Sequence, residues 1–224
     1  MAPSSFTETA ARQSPLFGGR NLLRIPNGVD TAKFRPLDQK AARLRLGIHD
    51  ESSIGIVFVS HVAFANARKG TDLLMESLKH VKKRALFLVV GENSQAWGGR
   101  CPQQTFSFPF TKDASVLRDI INAGDIFVQP STLENLPNTL LEGMSCGKPV
   151  VVFDRGGMRD AVENNLNGFC LKEPSAKSLS DALNYLLANN EARNKMGRAS
   201  RKKALKTFSL NKEISAYEKL YNSL

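Results

Sequence analysis

Ile126-Phe127-Val128-Gln129-Pro130-Ser131-Thr132-Leu133-Glu134-Asn135-Leu136-Pro137-Asn138-Thr139-Leu140-Leu141-Glu142 reads as a buried strand, a short loop and the start of a helix. Pro137 is pre-shaped for a first helical turn, and Gly147 suits a stop just past Cys146, so the spacing predicts a helix over 138–146. Glu142 then lies in the helix body and Glu134 in the loop before it. Uncapped first-turn amides and the positive end of the helix dipole favour an anion there. Two acids beside them accept hydrogen bonds from hydroxyls, and a phosphorylated sugar meets both demands.

Working outward, strands and helices alternate. Residues 54–60 are rich in β-branched and apolar types and lead through a polar loop to a helix over 72–81. Residues 86–90 form a continuous apolar run, as buried parallel strands do, and 104–108 read as a third strand. Asp113 caps a helix reaching Ala123; then come the strand 126–129, the helix 138–146, the strand 150–153, a short helix after Gly157 and the strand 168–171. Ser175 caps a helix to Ala188, and 191–207 and 211–223 follow as two closing helices. The alternation predicts an α/β, Rossmann-like open parallel sheet with helices on both faces. Loops after Ser60, Val128 and Phe153 leave carboxyl ends of strands and are expected to converge on one crevice. The dinucleotide fingerprint G-x-G-x-x-G is missing after the first strand, which argues against an oxidoreductase.

Composition limits the remaining classes. No run approaches the roughly 18 apolar residues that span a bilayer, and Met1-Ala2-Pro3-Ser4-Ser5 lacks the charged and apolar regions of a signal peptide. A cytoplasmic address is expected, with three cysteines too scattered for a common zinc motif or a disulfide framework. The net charge of +10 admits nucleic acid, an anionic membrane surface or a phosphorylated substrate. Lys82-Lys83-Arg84 and Arg201-Lys202-Lys203, the latter with Arg198 and Lys206, read as solvated faces. The second also reads as a patch for anionic lipid headgroups, a peripheral contact on the inner face of the membrane. No aromatic residues interleave with either run, so nucleic acid is not expected as a partner. Trp97, in a Gly-rich loop, is expected to be half exposed.

Several segments together resemble one family. They are the E-x7-E pattern of Glu134 and Glu142, Arg24-Ile25-Pro26-Asn27-Gly28-Val29-Asp30 with Phe34-Arg35-Pro36, and Arg68-Lys69-Gly70 with Asp72-Leu73-Leu74. Ala123-Gly124-Asp125, Gly143 to Val151 and Gly156-Gly157 add to them. The chain thus resembles the family 4 (group 1) retaining glycosyltransferases of the two-Rossmann-domain (GT-B) fold, over nearly its whole length. The resemblance implies transfer of a sugar from a nucleotide-diphosphate sugar to an acceptor, with no cofactor. No Asp-x-Asp is present, so no metal is expected.

It also implies residue roles. Lys69 and Glu134 would be catalytic, Lys69 with Arg68 meeting the diphosphate and Glu134 the sugar hydroxyls. Glu142 would hold the ribose, and the backbone from Asn135 through Leu136, Asn138 and Thr139 to Leu140 would receive phosphate or sugar oxygens. His61 stands where the family has an arginine, so it supplies a single donor in place of a charged fork.

Residues 1–30 do not read as the start of such a domain; they resemble the end of the family's N-terminal domain, an outgoing helix over 6–13 and an interdomain segment. The expected organisation is a nucleotide-sugar-binding domain over 31–207 and a terminal helix over 208–224 that crosses back to a partner domain. Such a C-terminal half is expected to bind donor but turn over poorly without an N-terminal domain or chain. The face of Tyr217, Leu220 and Tyr221, left bare, suits a homodimer. Two rival classes are an idle nucleotide-sugar-binding or assembly module and a basic nucleic-acid or membrane-binding protein.

Overall fold

Six apolar runs form the strands β1 (Ile54–Val62), β2 (Ala85–Glu92), β3 (Gln104–Phe108), β4 (Ile126–Gln129), β5 (Val150–Phe153) and β6 (Gly168–Leu171). All pair in parallel, in the order β3-β2-β1-β4-β5-β6. The structure, a computed structural model, describes residues 1–62 and 67–223. Residues 63–66, part of the polar loop expected after Ser60, lie outside that description. The order reverses between β1 and β4, and open sheets of this kind leave a crevice outside the strand ends at such a reversal.

Alternation along the strands divides the core into two layers. Val57, Leu88, Phe127 and Val152 pack with Ile120, Leu140 and Met144 from the helices α4 (Ala114–Ala123) and α5 (Asn138–Ser145). Phe58, Phe87, Val128 and Phe153 pack against Leu74 of α3 (Thr71–Lys79) and Leu183 and Leu186 of α7 (Ala176–Ala188). Each such fully buried side chain contributes about 1.5–3 kcal/mol. The caps expected at Asp113 and Ser175 are present, accepting from the amides of Ser115 and Ser178.

Four features depart from expectation. An additional helix, α2 (Gln39–Arg45), capped by Asp38, packs on α4. Trp97 is fully buried, not half exposed, with its ring centroid 5.0 Å from that of Phe87 and 5.7 Å from that of Phe58. It ends a short 3-10 turn over 94–97 that packs beside β2 and β3. Arg201, on α8 (Asn190–Thr207), is not a solvated cation. Its guanidinium donates to the carbonyls of Thr31, Phe34 and Ser145 at 2.8–3.0 Å and ties α8 to α5. Lys203 likewise pairs with Glu163 at 2.7 Å.

The first thirty residues lie against this sheet domain. The helix α1 (Ser5–Gln13) is held by Asp160, which accepts from the Ser5 amide at 2.6 Å; Asp160 belongs to the short helix α6 (Met158–Ala161). Val29 sits in the core and exchanges backbone hydrogen bonds with Phe208 and Leu210 at 2.8 and 2.9 Å. The closing helix α9 (Leu210–Tyr221) has no buried residue, and Leu210, Ile214 and Tyr221 are exposed.

Candidate functional site

Two loops meet the one that follows β4, and glycine makes both meetings possible. Gly70 caps α3 with φ +68°, and a Cβ there would stand 1.9 Å from the Pro130 carbonyl oxygen. Only glycine tolerates both the left-handed conformation and that approach. Thr132 donates its amide to the Arg68 carbonyl at 2.8 Å, which completes the docking. On the other flank Gly156, with φ +61°, leaves room for the Glu134 carbonyl, whose oxygen would lie 1.8 Å from a Cβ. That carbonyl accepts from the Gly157 amide at 3.0 Å. The loops after β1, β4 and β5 therefore converge as the alternation predicts.

Convergence brings Lys69 and Glu134, 65 residues apart in sequence, into a direct ion pair, each side chain about one-quarter exposed. The Lys69 ammonium donates to Glu134 Oε1. Asn135 is turned the other way: its Oδ1 accepts from the Ser4 hydroxyl, just ahead of α1. Asn138 Oδ1 accepts from Asn27 at 3.4 Å, and the same amide group donates to the Leu136 carbonyl at 3.1 Å.

A second cluster lies along the cleft between β1, β2 and α5. A cavity of about 350 Å³ is lined by His61, Val90, Phe110, Thr139 and Glu142, among others. His61 Nε2 lies 3.2 Å from Glu92, and its ring centroid is 4.1 Å from that of Phe110. Thr139 donates its hydroxyl to Gln129 Oε1 at 3.2 Å. Glu142 is the electrostatic outlier. Burial pushes its carboxyl up to about 7, and its Oε2 is buried with no hydrogen-bond partner among the described residues. An unpartnered buried carboxylate costs free energy that an incoming hydroxyl donor would recover.

The structure thus gathers His61, Thr139 and Glu142 in one cavity and Lys69 with Glu134 at the end of β4. Arg68 contributes its carbonyl to the loop docking, and its side chain is exposed. Leu136 and Leu140 are core residues, and the Leu140 amide donates to the Pro137 carbonyl at 3.1 Å. That amide is committed to the helix turn, while those of Asn138 and Thr139 have no acceptor inside the helix by its geometry. Sequence reasoning passed over Phe110, Glu92 and Gln129 as site neighbours. Their positions at or just past strand ends were the available signal. Among the described residues no group of three or more metal-ligating side chains is found.

An α/β sheet with its crevice at the strand-order reversal and these motifs places the chain in a defined class. The profile of glycosyl transferases group 1 matches residues 56–203, well over half of the chain, and the protein belongs to that family. The fold is the GT-B Rossmann-like half. Anabaena HepE, solved in complex with UDP-glucose, superposes with a TM-score of 0.83 at 21% identity, covering all of this chain and 63% of that one. The C-terminal domain of a Francisella tularensis group 1 glycosyl transferase, LpcC, is covered over its whole length by 82% of this chain, with a TM-score of 0.68 and 20% identity. In sequence the chain is 28% identical over 199 residues to N,N'-diacetylbacillosaminyl-diphospho-undecaprenol alpha-1,3-N-acetylgalactosaminyltransferase of Campylobacter jejuni, spanning 87% of itself and 52% of that enzyme. The chain spans about half the length of the curated relatives it matches. Among the described residues no helix is long and apolar enough to cross a membrane.

Proposed function

We propose that this chain is the donor-binding half of a retaining glycosyltransferase and that the crevice at the carboxyl ends of β1 and β4 holds a nucleotide-diphosphate sugar. The observation that carries the reading is Glu142, whose Oε2 is buried with no partner among the described residues and which lines a cavity on the helix that follows the Glu134 loop. A ribose diol supplies the donors that Glu142 Oε2 lacks. The diphosphate draws Lys69 away from Glu134 and meets the first-turn amides of α5, which frees Glu134 to accept from sugar hydroxyls.

As the bond from the anomeric carbon to the diphosphate oxygen breaks, negative charge develops on that oxygen, and a fixed ammonium with aimed amides stabilises it. Arg68 assists from the loop ahead of Gly70. His61, whose Nε2 faces Glu92, stands where a guanidinium would supply a charged fork. No metal takes part in this reading, and chelation with EDTA should leave donor binding unchanged. Acceptor recognition belongs to an N-terminal domain facing the crevice, as does efficient turnover. The net charge of +10 supports action in the cytoplasm, with peripheral contact at the anionic inner face of the membrane.

Calorimetric titration with UDP, GDP and ADP, repeated on Lys69→Ala and Glu142→Ala, tests the reading. It predicts saturable binding of one nucleotide, weakened in both variants. Failure of all three to bind at roughly millimolar concentration, equivalent to about 4 kcal/mol, would contradict it.

A further inference from the structure

We infer that the amino ends of the strands carry a second anion site, built to take a phosphoryl group and separate from the crevice at the carboxyl ends. A cavity of about 360 Å³ lies where the turns into β4 and β5 meet one face of α8. Its charged residues are Lys148, Arg193, Arg198 and Arg201 against the single carboxylate of Asp125. One oxygen of that carboxylate, Oδ2, is already engaged, accepting from the Gly55 amide at 2.8 Å and from buried Arg43 at 3.3 Å.

The hydrogen bonds of three of these cations go to uncharged oxygens, mostly backbone carbonyls, with the Ser145 hydroxyl accepting from Arg201 and Asn190 Oδ1 from Arg193. Lys148 donates to Asn122 and Gly124 at 3.2 and 2.7 Å. Arg201 donates to Thr31, Phe34 and Ser145, and Arg193 to Leu186 and Leu187. A carbonyl satisfies an N–H donor but carries no net charge. Four positive charges therefore face one shared negative charge inside a concave wall, where low-dielectric surroundings focus the field. Burial lowers the proton affinity of Lys148, Arg193 and Arg201, and the Asp125 carboxylate offsets this only in part for Lys148 and Arg193.

The same bonds fix the side chains before any ligand arrives, so little rotamer entropy remains to be lost on binding. Guanidinium forks match phosphoryl oxygens, and a multiply charged anion suits this excess better than a lone carboxylate. The volume admits a small phosphorylated solute or the headgroup of an anionic lipid.

The test is titration of the chain carrying Lys69→Ala, which removes the diphosphate ligand of the other site, with inorganic pyrophosphate and, separately, with phosphatidylglycerol vesicles. Added to it, Asn194→Glu with Arg198→Glu places two carboxylates at exposed positions on the cavity wall without touching the carbonyl clamps. Saturable binding is expected, reduced about tenfold or more by that pair, with thermal unfolding unchanged. Arg198→Gln alone should give a smaller drop in the same direction. Pyrophosphate binding supports the site with a free phosphorylated solute as its ligand; vesicle binding alone supports it with a headgroup. Binding of neither probe, or binding that the pair leaves untouched, overturns the inference.

Discussion

The two ends of the sheet use charge in opposite ways. At the amino end the charged groups are tied to the backbone: Arg43, only 2% exposed, donates to the carbonyls of Ala123, Asp50 and Ser53 at 2.8–2.9 Å. Arg201 and Lys148 are bound in the same manner. At the carboxyl end Glu142 has a buried oxygen with no partner among the described residues, and Lys69 has Glu134 as a partner that a stronger anion can displace. At the amino end the clamps satisfy hydrogen-bond donors and hold the fold together while net positive charge is left over. At the carboxyl end a buried acceptor itself stays unmet, as expected of a binding site.

The sharpest way to break the contrast is at Arg43. Arg43→Ala should cost about 3–5 kcal/mol in denaturant unfolding, because it orphans the Asp50 and Ser53 carbonyls, takes one of two donors from Ala123 and removes the cation hydrogen-bonded to Asp125. A loss below about 1 kcal/mol would remove the structural half of the comparison.

Glu142→Gln should act in the opposite direction. With its carboxyl raised from 4.5 to about 7, wild-type stability falls as pH climbs between those values and then levels off. The variant escapes this cost, so its advantage should grow from nothing near pH 4 to about 3 kcal/mol by pH 8 while nucleotide binding weakens. Unfolding curves at the two pH values check it.

Smaller effects sharpen the account. Lys69→Ala should weaken nucleotide-diphosphate binding about tenfold or more in calorimetry. Its effect on stability should stay within about 1 kcal/mol, since the pair it breaks is partly solvated. His61→Arg restores a charged fork and should tighten diphosphate binding a few-fold, with little change in stability.

Much of this arrangement is legible in the residue order, and the exceptions share a cause. Apolar runs such as 86–90 and 126–129, with caps such as Asp113 and Ser175, announce strands and helices through local rules. The α2 helix escapes because its anchor is Arg43, a residue type that reads as solvent-facing until carbonyls 7 to 80 residues away enclose it. Arg201 and Trp97 escape for the same reason, since burial there depends on distant partners. In the crevice the acids and Lys69 are legible through family motifs. The glycine contacts that join their loops, and the cavity shared by His61, Phe110 and Glu142, exist only after folding.

The most direct test of the carboxyl-end site is a proton count during donor binding. UDP-glucose, or the GDP or ADP sugar that the first titration selects, is titrated into the chain in two buffers of different ionisation enthalpy. If ribose hydroxyls become the partners of Glu142, its carboxyl ionises on binding, and about half a proton per ligand is released at pH 7. That release should fade by pH 9 and be absent in Glu142→Gln. Saturable binding with no proton released at pH 7, or with the same release in the variant, would contradict the assignment of this cavity to the donor.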